Sequence, residues 1–141
     1  MSSHTKVVFY CTDSDGNPDV ESMWTIPRAD GYELDNIPFL ARGYAWGDVI
    51  SAEPEADGML RCTGLVRASG HSTVQLLVTH PSDIPRIREE LKQRGCDTEF
   101  GHGLLAIDIP PEVPYPSLKD YFEEGQRTGV FDYQEACLGF R

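Results

Sequence analysis

This sequence lacks long apolar runs and has few basic residues. Its longest uninterrupted apolar stretch is a handful of residues, whereas a membrane-spanning helix needs about 20. The opening residues show no basic region followed by an apolar one, so we expect no signal peptide and no membrane association. Lysine and arginine number 12 against 23 aspartates and glutamates, a net charge of −11. Because that charge repels phosphate backbones, we expect no direct nucleic-acid binding, and either a basic protein partner or simply high solubility.

The chain also lacks the common cofactor and catalytic motifs. It has no G-x-x-x-x-G-K-[ST] or G-x-G-x-x-G phosphate loop and no G-x-S-x-G elbow. No C-x-x-C pair occurs among its cysteines, which argues against a zinc cluster or a disulfide scaffold and favours reduced thiols in a cytoplasmic protein. We therefore predict a cytoplasmic location and no cofactor; the four cysteines are Cys11, Cys62, Cys96 and Cys137.

The first half of the chain has the pattern of short antiparallel strands. Stretches rich in β-branched and aromatic residues alternate with turn signals such as Asp30-Gly31 and Asp57-Gly58. This pattern predicts a small barrel-like or strongly curved sheet over residues 1–69. Residues 39–48, FLARGYAWGD, follow no clear period and predict an irregular loop that packs its aromatic side chains on the core; these are Phe39, Tyr44 and Trp46.

The second half predicts a mixed structure. A strand at STVQLLVT precedes a helix over about 84–94, and a hairpin and a proline-rich connector precede a second helix over about 117–128. The apolar tail after Gly129 is expected to dock on the body. The order β-α-β-β-α over 70–141 resembles a ferredoxin-like α/β plait. We therefore predict one compact α+β domain, 1–141.

Four segments carry a family resemblance. LDNIPFLARGYAWGDVISAEP, ASGHSTVQLL, LLAIDIPPEV and FDYQEACLG occur in this order and cover nearly the whole chain. Together they resemble a bacterial family catalogued as domain of unknown function family 4265, which implies a bacterial protein and supplies no activity. The C-terminal helix, its following glycine and an Asp-Tyr pair are also similar to the end of the small acidic inhibitors of ribonuclease E, an analogy about fold that does not fix function.

The turn Gly70-His71-Ser72 carries the best enzyme candidates. A histidine can act as a base near neutral pH and a serine can be a nucleophile. Adjacent strand residues point to opposite faces, so His71 and Ser72 are not expected to form a dyad with each other. Two interpretations stay open. In one the turn is structural, and in the other His71 lines a cleft and acts with a distant group, the candidates being Asp48, Glu135 and Cys137.

The sequence predicts no metal site. His71 and His80 are an odd number of positions apart, so on one continuous strand they face opposite sides. The acidic stretch 13–21 has alternating carboxylates, but Gly16 lies too early for the glycine of an EF-hand loop and Trp24 stands where its final glutamate belongs.

Three functional classes follow. The first, which we favour, is a small acidic protein that binds another protein as an inhibitor, immunity or regulatory factor. It uses a possible interface at Phe39, Tyr44 and Trp46. The second is a small-molecule binder or enzyme with a cleft near His71, and the third is a structural accessory domain. The absence of catalytic motifs favours a protein that is not an enzyme, but it leaves that question and the oligomeric state open.

Overall fold

A computed structural model describes residues 4–13 and 15–140. Within these residues the chain forms nine strands and two α-helices. The strands are β1 Thr5–Thr12, β2 Pro18–Arg28, β3 Gly31–Leu34, β4 Val49–Pro54, β5 Leu60–Arg67, β6 Ser72–Val78, β7 Asp97–Gly101, β8 Leu104–Ile109 and β9 Phe131–Cys137. The helices are α1 Ile84–Gln93 and α2 Tyr115–Arg127. The mixed composition confirms the α+β prediction.

The first five strands close a barrel. β1 pairs antiparallel with β2, and it also pairs in parallel with β5, which closes the ring. Alternate residues of each strand point inward, and the barrel core is made by Val7, Phe9, Met23, Leu34, Ala41 and Ile50. The turn signals at Asp30-Gly31 and Asp57-Gly58 fall between β2 and β3 and between β4 and β5, so the hairpins predicted there are present.

The remaining strands form an antiparallel sheet in the order β7-β8-β6-β9. Both helices contribute buried side chains to one core with this sheet: Ile87 and Leu91 from α1, and Leu118 and Phe122 from α2. The apolar tail does more than dock. It forms β9, an edge strand that pairs with β6, so the element order is β-α-β-β-α-β.

Helix α2 begins earlier than its sequence pattern suggests. Pro116 lies in the first turn, where its missing N–H removes no helical hydrogen bond. Ser117, where the sequence pattern starts the helix, lies inside it, and its hydroxyl donates to the Pro114 carbonyl at 3.0 Å. Neither of the two helices is long and apolar enough to cross a bilayer within the described part of the chain.

The barrel rests on the sheet face opposite the helices. The contact is made by residues 35–48, the segment between β3 and β4, which we call the junction loop. The Thr73 hydroxyl donates to the Tyr44 carbonyl at 3.1 Å, and the Gln75 amide donates to the Pro38 carbonyl at 3.2 Å. The Gly43 amide donates to the Ala136 carbonyl at 2.9 Å. These bonds fix the junction loop against β6 and β9 and leave clefts on either side of it.

Candidate functional site

His71 lies just before β6 and is paired with a carboxylate on the neighbouring strand. Its Nδ1 donates to Asp108 Oδ1 at 2.8 Å, and the two side chains are 17% and 6% exposed. Burial raises the pKa of Asp108, and the His71 bond opposes part of that shift. A carboxylate held against one ring nitrogen fixes the orientation of the imidazole.

The junction loop places an aromatic ring on this pair. The Trp46 and His71 ring centroids are 5.0 Å apart at 56°. Ser69 ties the two segments together, because its hydroxyl donates to the Trp46 carbonyl at 2.7 Å and accepts from the His71 amide at 3.2 Å. The segment before β6 is thus both a structural turn and a wall of a cleft.

The cleft beside His71 has a volume of about 450 Å³. We call it the acidic cleft. Its carboxylates come from the junction loop, from β7 and β8 and from the segment after β8, and no lysine or arginine is among the described residues that line it. Asp97 and Asp108 are direct cross-strand neighbours. The lining carboxylates are Asp35, Asp97, Glu99, Asp108 and Glu112.

Two of the sequence candidates bond to the backbone. Asp48 is buried, and its two oxygens accept from the amides of Ala45 at 2.9 Å and Ser69 at 2.8 Å. It therefore braces the turn that carries Trp46. The Ser72 hydroxyl accepts from the Gly139 amide at 2.9 Å and holds the end of the described chain. Asp48 and Ser72 therefore lie near the acidic cleft, and neither of them lines it.

The other two candidates lie on β9. Glu135 accepts from the Tyr115 hydroxyl and from Lys119 Nζ, the latter at 3.1 Å, so its carboxylate faces α2. Burial, together with the charge of Asp48, raises the pKa of the Cys137 thiol. A raised pKa disfavours the thiolate that a nucleophile needs. The charged partner that the structure brings to His71 is Asp108, which the sequence interpretation did not name.

A signal for Asp108 was present in the sequence. Leu105, Ile107 and Ile109 alternate along β8 and face the helices, so Asp108 must face the other side. The Asp108 carboxylate comes to lie beside His71 because β6 and β8 pair with Thr73 opposite Asp108. Register between strands that are far apart in sequence is not readable from either strand alone.

The three aromatic residues of the proposed interface point to different places. Tyr44 packs edge-on against Phe9 in the barrel at 5.1 Å, and burial raises its pKa to about 12. Phe39 lies 5.3 Å from the ring of His102, in the β7–β8 turn. Trp46 covers His71 and stays 36% exposed. The structure therefore does not bring them together on one surface.

A buried glutamate that sequence analysis missed anchors the junction loop. Glu21 lies on an inward position of β2 and is 4% exposed. One carboxylate oxygen accepts from the Phe39 amide at 2.7 Å, and the other accepts from Leu40 and Ala41, each at 2.9 Å. Three converging amides compensate the burial of this charge.

No group of three or more histidine, cysteine, aspartate or glutamate side chains is arranged to hold a metal ion within residues 4–13 and 15–140.

Comparisons with known proteins give a family and a fold. The family model described as Domain of unknown function (DUF4265) matches residues 21–133. A crystal structure of a hypothetical protein from Neisseria gonorrhoeae is similar, with a TM-score of 0.84 and 26% identity, over 100% of this chain and 99% of that one. No curated protein matches. The similarity to ribonuclease E inhibitors has no support among these matches and stays a prediction.

Proposed function

The chain belongs to the DUF4265 family, and we propose that it binds a basic protein by taking a cationic side chain of that partner into the acidic cleft. The observation that carries this proposal is the composition of the cleft. Five carboxylates line it, and no lysine or arginine does among the described residues. Such a cleft attracts cations and focuses the field of a chain whose net charge is −11.

The geometry supports a cation held between an aromatic face and a carboxylate. Trp46 is 36% exposed at the cleft, and an indole is the best aromatic partner for a cation. Asp97 and Glu99 are exposed on β7, where they can pair with a guanidinium or ammonium group. Asp108 is buried and already bonded to His71, so it adds negative charge at the base of the cleft.

Catalysis is a second candidate function, and one observation favours it. Asp108 holds His71 Nδ1, the arrangement in which the other ring nitrogen serves as a general base. This candidate requires a small-molecule substrate in the same cleft. Turnover lost in a folded His71→Ala variant that still binds a basic peptide would favour it over pure binding.

Two finer assignments are part of the proposal. The order β-α-β-β-α-β and the sheet order β9-β6-β8-β7 support a ferredoxin-like arrangement of the second half. The four cysteines are all free, which supports a reducing, cytoplasmic location.

The test is a titration with a tetra-arginine peptide. Trp24→Phe leaves Trp46 as the single indole, since the chain has two tryptophans. We expect a saturable change in Trp46 fluorescence. Binding should weaken roughly tenfold as salt rises from about 0.05 to 0.3 M, because exposed charges are screened.

A matched pair of triple variants separates the cleft from general charge. The cleft variant neutralises three exposed rim acids, as Asp97→Asn, Glu99→Gln and Glu112→Gln. The control variant neutralises three exposed helix acids, as Glu89→Gln, Asp120→Asn and Glu123→Gln. Both lose the same charge, and only the first should lose binding. Equal losses in the two variants, or no saturable signal at low salt, would refute the proposal.

A further inference from the structure

A second cleft lies at the other end of the junction between barrel and sheet. Its volume is about 480 Å³, within the range of small-molecule sites. Its walls come from the β1–β2 hairpin, the junction loop, the β7–β8 turn and strands β6 and β9. It shares no described lining residue with the acidic cleft. We call it the amide cleft, for the glutamine side chains that line it.

The apolar wall of this cleft is exposed although it lies in the middle of the sheet. Leu77 is on β6, an inner strand, yet it is 55% exposed because the barrel does not reach this end of the sheet. Leu104 and Phe39 also line the cleft, and the Phe39 ring contacts the His102 ring at 5.3 Å. The wall therefore offers aliphatic and aromatic surface together.

The β7–β8 turn holds His102 in an unusual backbone conformation. Its φ is +52°, the one positive φ at a residue other than glycine within the described residues. Gly103, the next residue, has a φ of +73°, and two consecutive positive φ values are what a two-residue hairpin turn of type I′ requires. The turn Gly101-His102-Gly103 is thus a hairpin connection that also presents the His102 ring to the cleft.

A chain of hydrogen bonds fixes the polar wall. Gln75 is 2% exposed and donates to the Pro38 carbonyl at 3.2 Å. The Gln134 amide donates to Gln75 Oε1 at 2.6 Å, and Arg42 Nη2 donates to Gln134 Oε1 at 2.7 Å. The Arg42 guanidinium is thereby positioned at the cleft by a network whose first member is buried.

Two opposite charges at this cleft are not paired with each other. Arg42 and Asp132 both line it and are both exposed. Neither takes part in a salt bridge among the described residues, so their charged atoms lie more than 4.0 Å apart and each can contact a ligand in the cleft. Asp13 and Asp19, the other carboxylates of the lining, accept from backbone amides of their own hairpin.

We propose that the amide cleft binds an uncharged aromatic carboxamide. The ring packs against Phe39, His102 and Leu77. The amide oxygen accepts from Arg42, and the amide N–H donates to Asp132. A neutral amide satisfies both charges, whereas a carboxylate is repelled by Asp132 and an ammonium leaves Arg42 without an acceptor.

Benzamide, benzoate and benzylamine are the probes, and ¹H–¹³C spectra of the methyl groups of Leu77 and Leu104 are the readout. We expect benzamide to give saturable shifts at these methyls. Benzoate should bind roughly tenfold more weakly, because it loses one polar contact and is repelled by Asp132, and benzylamine should bind without the dependence on Arg42 that benzamide shows. No saturable shift, or equal binding of the three probes, would overturn the proposal.

Side-chain variants test the two polar contacts separately. Arg42→Ala and Asp132→Ala should each weaken benzamide binding roughly tenfold. Asp132→Asn should strengthen benzoate binding, because it removes the repulsive charge. Arg127→Ala, which removes an exposed arginine at the end of α2, is the matched control and should bind benzamide as the wild type does. Unchanged benzamide affinity in a folded Arg42→Ala variant would contradict the assignment.

Discussion

Replacing Glu21 by alanine should be among the most damaging single changes in the barrel. The carboxylate is 4% exposed and accepts hydrogen bonds from three consecutive backbone amides, at Phe39, Leu40 and Ala41. Glu21→Ala removes all three acceptors at once. The amides then need water or must stay unsatisfied, and an unsatisfied buried donor costs about 1–3 kcal/mol.

The structure sets the size of the loss. Ala41 is buried, so its amide loses nearly the full value of its bond, about 2 kcal/mol. Phe39 and Leu40 are half-buried, and water can replace part of each bond, which leaves about 1 kcal/mol apiece. The free energy of unfolding should therefore fall by about 3–4 kcal/mol. For a chain of 141 residues this corresponds to a decrease in Tm of about 10 °C.

Urea unfolding followed by circular dichroism measures this change, with Glu53→Ala as the control. Glu53 is exposed, and its contact with Arg61, 3.5 Å between Nη2 and Oε2, is a surface pair that contributes about 0–1 kcal/mol. Glu21→Gln should fall between the two, because it keeps one acceptor oxygen and turns an N–H toward an amide. If Glu21→Ala loses less than about 1 kcal/mol, the three-amide anchor does not hold the junction loop.

Two further predictions concern buried titratable groups. Burial raises the pKa of Cys96 to about 12, so at pH 8 iodoacetamide should alkylate it last of the four cysteines, as read by peptide mass spectrometry; early alkylation would contradict its burial. Burial also raises the pKa of Asp108 above its ordinary 3.8. The native state therefore binds a proton on the Asp108 carboxylate more tightly than the unfolded state does. The free energy of unfolding should then decrease as the pH rises from 3.8 through the raised pKa. Asp108→Asn should remove that decrease. If the free energy of unfolding changes with pH in the same way in the variant and the wild type, the prediction is wrong.

Local patterns in the sequence were sufficient for the elements whose signals are local. Asp-Gly turns predicted two hairpins of the barrel, and the helix predicted over about 84–94 is α1, Ile84–Gln93. The strand β9 was harder to predict. Its sequence, FDYQEAC, mixes charged and amide side chains with apolar ones because one face packs on α2 and the other meets the junction loop.

The site could not be predicted in the same way, because its key carboxylates break the usual rule for strands. Glu21 and Asp108 are charged residues in strands, and alternation alone assigns such residues to a solvated face. Here Glu21 faces the inside of the barrel, and Asp108 lies beside the imidazole of His71, so both are buried. Which amides or which imidazole they meet depends on how distant segments of the chain come together. The two contacts join residues that lie 18 and 37 positions apart in sequence.

The junction loop contributes a wall to both clefts. Two buried carboxylates hold it, and each bonds to a different part of the loop. Glu21 holds the amides of residues 39–41, next to Arg42 and therefore beside the amide cleft. Asp48 holds the turn that carries Trp46, beside the acidic cleft. Loss of the first anchor should therefore loosen the benzamide site while Trp46 stays in place. We therefore expect Glu21→Ala to change the methyl shifts that benzamide gives at Leu77 and to leave the Trp46 fluorescence as it is in the wild type, although one loop builds both clefts.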